Sequence, residues 1–129
     1  MITIPTSRYR NEPSGMEEDD MAWVLLGLAI VSEIVGTLSL KASKGFTVLA
    51  PTLAVVVGYG LAFVLLAQAL RSIGVGPAYA TWSGLGTVGA AVGAAVVFGE
   101  RLTAWSVVGM ALVVVGVLVM NLLGEASHG

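Results

Sequence analysis

Four long apolar runs joined by short polar links set the pattern of this chain. Residues 21–40 carry a single charge, Glu33, while residues 45–70, 72–99 and 102–124 form runs of 26, 28 and 23 residues with no charge. About 20 apolar residues, rising ~1.5 Å each, cross the ~30 Å of hydrocarbon in a bilayer. The pattern therefore predicts four membrane-spanning helices in an all-α membrane protein. None of the runs shows the polar stripe that a helix of a soluble bundle turns to water.

The links are too short to hold a domain. The first, residues 41–51, carries Lys41, Lys44 and Gly45, with Pro51 suited to the first turn of helix 2; the second contains Arg71, Gly74, Gly76 and Pro77; the third holds Gly99, Glu100 and Arg101. Short links make successive helices antiparallel neighbours, so function must reside in the bundle and its oligomer. Residues 1–20 differ in kind. Pro5, Pro13, Ser14 and Gly15 stand among Arg8, Arg10 and the acidic run Glu17, Glu18, Asp19 and Asp20, and they read as a disordered polar extension without the apolar segment of a signal peptide. Residues 21–124 then form the transmembrane domain, and residues 125–129 a short polar tail.

Composition agrees: of 129 residues 57% are hydrophobic and 11% charged, with a mean hydropathy of +0.93, outside the range of soluble domains. The absence of cysteine removes disulfides and thiolate metal sites. His128 lies in the tail and no Ser/His/Asp or metal-ligand cluster is present, so the chain is read as neither an enzyme nor a metal or cofactor protein. Charge placement favours neither orientation. Lys41, Lys44 and Arg101 lie on one side, against Arg71 and, if the extension counts, Arg8 and Arg10 on the other; three against three, or three to one without the extension, is a weak enough bias under the positive-inside rule to leave room for insertion both ways.

Against this background Glu33 is the candidate functional residue. A charge at the centre of a spanning helix costs about 3 kcal/mol on insertion scales, so an acid there marks a site by default. Ala29, Gly36 and Thr37 share its face, and these small side chains are expected to leave room for a ligand. On helix 3, Tyr79 and Trp82 are three residues apart and are followed by Gly86, Gly89 and Gly93. Aromatic faces beside a carboxylate suit an organic cation. The same two residues, in the first turns of helix 3, equally suit an interfacial aromatic belt. On helix 4, Gly109 and Gly116 form a small-residue seam, for an oligomer contact or for packing within the protomer. One carboxyl in so small a bundle has few internal partners, which favours a dimer that brings two copies of helix 1 face to face.

Several segments are similar to one known family. AIVSEIVGTLSLK at 29–41, KGFT at 44–47, AYATWSGLG at 78–86 and GMALVVVG at 109–116, with Asn121 beyond it, resemble the small multidrug resistance family, and the likeness extends from about residue 21 to the C-terminus. The resemblance implies an antiparallel, dual-topology homodimer in the bacterial inner membrane, exchanging protons for cationic, often aromatic, compounds. Carried over by position, Glu33 matches the shared proton- and substrate-binding carboxylate, and Tyr79, Trp82 and Tyr59 match aromatic substrate contacts. Trp23 stands where the family often has an aromatic near the start of helix 1. Gly84 and Gly86 match the bend of helix 3, and Gly109 and Gly116 the dimer contact. A second branch of the family exports guanidinium and usually has tryptophan three residues after the glutamate. Gly36 and Thr37 in this chain favour the quaternary ammonium branch.

The expected mechanism is competition: a low-dielectric cavity disfavours a charged carboxylate, so Glu33 holds either a proton or a cation, not both. If both copies in a dimer release protons, exchange for a monovalent cation is electrogenic. The expected partners are small organic cations, protons, membrane lipid and a second copy of the chain, with no nucleic acid. The alternatives are guanidinium export by the same fold and, from another class, a small membrane-assembly subunit in which Glu33 pairs with a partner's basic residue. Lys41, two helical turns away, reads as a snorkelling anchor rather than that partner.

Overall fold

The computed structural model describes residues 13–124. Four helices follow one another: α1 (Pro13–Ala42), α2 (Leu49–Ala69), α3 (Val75–Phe98) and α4 (Ala104–Val119), the last continued by a π-helical turn (Met120–Gly124). Four stretches are long and apolar enough to span a membrane: Asp19–Ala42, Leu49–Ala69, Val75–Phe98 and Ala104–Leu123. The protein is an all-helical, multi-pass membrane protein.

The polar extension expected over residues 1–20 requires correction. Residues 13–20 belong to α1, while residues 1–12 and the tail at 125–129 lie outside the described residues. A helix already formed in the apolar run elongates backwards with one backbone hydrogen bond per residue fixed and no new nucleus, and proline is well suited to the first helical position.

The turns follow their local chemistry. Between α1 and α2, Lys44, Gly45 and Phe46 all take left-handed backbone angles, with φ of 51°, 71° and 69°. Such a conformation costs a non-glycine residue about 1 kcal/mol or more, so it needs a local tie. Fully buried Ser43 supplies one: its hydroxyl donates to the Leu40 carbonyl at 2.7 Å and accepts the Phe46 N–H at 3.0 Å. Gly99, with φ 72°, ends α3 in the left-handed conformation, and the Thr103 hydroxyl caps α4 by accepting the Ser106 N–H at 3.1 Å.

Helix α1 packs most extensively on α2 and also on α3, while α4 rests chiefly on α3. The α1–α2 contact is a close approach of backbones. A Cβ placed on Gly58 would lie 3.0 Å from the Gly36 Cα, and the Ser32 hydroxyl donates to the Gly58 carbonyl at 2.8 Å. In lipid, where apolar surface alone drives no association, such small-residue contacts and interhelical hydrogen bonds hold helices together. The core is made by Leu26, Ala29 and Ile30 of α1 with Ala62, Ala69, Ile73, Ala78 and Trp82. No α4 residue in 104–119 is buried; Val107, Leu112, Val115 and Leu118 face outward, as lipid or another copy requires, while Val113 and Val117 turn towards α3.

Candidate functional site

Glu33 lies half-buried on the face of α1 that meets α3, with one carboxyl oxygen hydrogen-bonded and the other turned towards α3. Oε2 accepts the Thr37 hydroxyl at 3.0 Å, one turn along the same helix, and Thr37 Oγ1 is 2.6 Å from the Tyr59 hydroxyl on α2. Threonine has one hydroxyl proton. When that proton goes to the carboxylate, Tyr59 must donate to Thr37, giving a polarised chain from Tyr59 through Thr37 to Glu33. Oε1 faces Gly86 of α3, where a Cβ would stand 3.1 Å away. Glycine at position 86 leaves the carboxyl in this position, where any larger residue would press it aside.

The carboxyl opens onto a groove of about 340 Å³ whose walls include Thr37, Tyr79, Trp82, Gly86 and Thr87. Trp82 is 9% exposed and Tyr79 65%, so the indole is fixed while the phenol stands at the open edge. Behind the indole an aromatic row crosses to α2: the Phe63 ring stacks on Trp82 at 6.0 Å between centroids and on Tyr59 at 6.5 Å. Negative charge, a π-face and an uncrowded opening are what a lipophilic cation requires.

The structure thus brings Glu33, Thr37, Tyr79, Trp82 and Gly86 together, with Tyr59 joined through Thr37. Other candidates lie elsewhere. Trp23 lines a separate cavity of about 370 Å³ at the other end of α1, with Asp20, Ser72 and Asn121. It is ten residues from Glu33, or ~15 Å along the helix. Gly84 sits within the same continuous helix as Gly86 but faces α4, against Val113 and Val117. Gly109 and Gly116 are exposed, and a Cβ on either would meet nothing within 4 Å in the protomer, so neither serves packing among the described residues.

Two expectations change. The small residues flanking Glu33 divide: Thr37 lines the groove, but Ala29 is fully buried in the core, and the space over Gly36 is filled by the Tyr59 ring, 3.2 Å from where a Cβ would stand. Small side chains on a membrane helix admit a neighbouring helix as readily as a ligand. Lys41 is more than an interfacial anchor, since its ammonium pairs with Glu100 and stands 5.0 Å from the centroid of the Phe98 ring, tying the end of α1 to the third link. Sequence reasoning missed Phe63 and Thr87. Phe63 was within reach, because it lies four residues after Tyr59 and so on the same helical face. Among the described residues, no three Asp, Glu or His side chains gather as a metal site.

Comparison with known proteins fits this geometry. The chain is 52% identical over 105 residues to the quaternary ammonium compound-resistance protein QacE of Escherichia coli, covering 81% of this chain and 96% of that protein. It is 50% identical, with the same coverage, to the quaternary ammonium compound-resistance protein QacF of Klebsiella aerogenes. A putative ethidium bromide resistance protein of Escherichia coli is 49% identical over 96 residues, 74% of this chain and 84% of that protein. The family model described as Small Multidrug Resistance protein matches residues 21–113, which include every residue of the Glu33 groove. The chain belongs to the small multidrug resistance family.

Proposed function

We propose that the protein is a proton-coupled antiporter of the bacterial inner membrane that exports lipophilic and quaternary ammonium cations, with Glu33 as the common site for proton and cation. The observation that carries this reading is a carboxyl group inside a spanning helix, opening onto a groove walled by Trp82 and Tyr79. Relatives named for resistance to quaternary ammonium compounds and ethidium support the substrate class.

The reasoning is one of charge. An unpaired carboxylate at membrane depth is costly, and either a proton or a cation relieves that cost. The two ligands therefore exclude each other, and a cation that displaces the proton on one side is itself displaced on the other. Thr37 donates its hydroxyl to Oε2 and Tyr59 in turn bonds Thr37, so the carboxyl is held in place at the groove. The working unit on this reading is an antiparallel homodimer. One protomer leaves Tyr79 at an open edge, and the exposed face of α4 bearing Gly109 and Gly116 is free for close contact with a second copy.

The test is Glu33→Gln in reconstituted vesicles with an imposed pH gradient. Gradient-driven ethidium efflux is expected to vanish, and the proton release that accompanies cation binding to the unaltered protein is expected to vanish with it. Efflux that persists in the variant would overturn the reading.

A further inference from the structure

A second polar contact, between α3 and α4, is unused by the mechanism above. Thr81 is 7% exposed, and its hydroxyl oxygen accepts an N–H of the Asn121 side-chain amide at 2.9 Å. The same amide nitrogen donates to the Val117 carbonyl at 2.9 Å. The Val117 side chain fills the notch at Gly84, where any Cβ would collide with it. Helix α4 therefore grips α3 at two points three residues apart, a hydrogen bond at position 81 and a knob in a notch at position 84. Asn121 lies within the π-helical turn that ends α4, an irregularity that recurs at functional sites.

What this grip fixes is rotation. The next residue along from Thr81 is Trp82, about 100° around the helix. Towards α1, Ile34 and Leu38 seat in the notches at Gly89 and Gly93, about two and three turns beyond Trp82, so the grip at positions 81 and 84 is the one level with the indole. At a side-chain radius of about 5–6 Å, a rotation of about 20° carries the indole roughly 2 Å relative to Glu33.

We propose that Asn121, acting through Thr81, is a positioning residue for Trp82: it sets the gap between the indole and the Glu33 carboxyl, and thereby the preference for flat aromatic cations over compact ones. The proposal rests on the groove being the cation site. Its test uses the full chain labelled with 5-fluorotryptophan, in which Trp23, Trp82 and Trp105 give three fluorine resonances, with Trp82 assigned from a Trp82→Phe sample. The variants are Thr81→Val and Asn121→Leu, both close in size to the residues replaced, their double combination, and Thr81→Ser.

Expected is a displaced Trp82 resonance in each single variant and no further displacement in the double, the mark of one shared bond. Interhelical hydrogen bonds in membranes have modest strength, so the KM for ethidium should rise about three- to tenfold with kcat unchanged. The KM for tetramethylammonium should stay put, and Thr81→Ser should behave as the unaltered chain. A stationary Trp82 resonance, or equal KM changes for both cations, would overturn the proposal. If Asn121→Leu does not accumulate, Thr81→Val removes the same bond and decides by the same readouts. The resonance reads the clasp without transport, so failure of the unaltered chain to move ethidium would refute the cation reading separately.

Discussion

Gly86→Ala separates stability from function at a single methyl group. Alanine in a helix interior is favoured over glycine by about 1 kcal/mol, so helix propensity alone predicts a protein at least as stable as before. The new Cβ, however, would stand 3.1 Å from Glu33 Oε1, closer than an ordinary van der Waals contact. The neighbouring oxygen is the end of a flexible side chain, so the carboxyl yields rather than the helix. A retreat of about 0.5 Å, from about 4.0 to 4.5 Å from a bound cation, changes the attraction at an effective dielectric of 20 from about 4.2 to about 3.7 kcal/mol. That loss of about 0.5 kcal/mol is roughly twofold in affinity, and the methyl group intruding on the groove adds to it for bulky cations. Tetraphenylphosphonium binding, measured by calorimetry in detergent, should therefore weaken about two- to fivefold while the thermal midpoint holds or rises. Gly84→Ala is the control: its Cβ collides with Val117 of α4, so it should lower the thermal midpoint. Unchanged or tighter binding by Gly86→Ala would refute the placement of the carboxyl against α3.

Two further substitutions probe the surroundings of Glu33. Thr37→Val keeps the shape but leaves both the carboxylate and the Tyr59 hydroxyl without their shared partner; a hydrogen bond to a charged group contributes about 1.5 kcal/mol or more, so equilibrium binding should show cation affinity falling about tenfold, with Thr37→Ser restoring it. Phe63→Ala removes the ring stacked between Tyr59 and Trp82, and ethidium affinity by fluorescence titration should drop about two- to fivefold, because aromatic pairs contribute about 0.5–1.5 kcal/mol and the indole loses its backing.

The parts of this protein legible in its sequence are those governed by a single strong rule. Apolar runs longer than a bilayer is thick, three of them charge-free, located four spans, and the isolation of Glu33 in the other marked the carboxyl on which the groove is built. Pairing between helices was harder to read. Glycines at 36, 58, 84, 86, 89 and 93 look alike in the sequence, yet Gly36 and Gly58 bring α1 and α2 together, Gly84 receives Val117, and Gly86 receives the Glu33 carboxyl. A residue without a side chain carries no mark of which neighbour uses the space. The Thr81–Asn121 bond was hidden for a related reason: its partners are forty residues apart, and each alone resembles an ordinary polar residue near a helix end. Residues 13–20 were misread because their polarity was weighed without the helix that follows them.

The protomer's own geometry argues for a second copy at the site. A pocket that holds a drug-sized ligand covers most of its surface, commonly 70% or more. Here the carboxyl, the indole and the floor formed by Gly86 all lie on one side, and Tyr79, 65% exposed, stands at an edge with nothing opposite it among the described residues. Helix α4 cannot close that side, because it packs on the face of α3 that carries Thr81 and Gly84. Lipid would cover the opening without contributing charge or π-surface. On the proposed reading a second protomer would contribute another carboxyl and another indole, and the near balance of basic residues between the two sides would let that protomer insert the other way up. If this reasoning holds, cross-linking in native membranes should join copies whose C-termini lie on opposite sides, and a C-terminal reporter found on one side in every molecule would refute it.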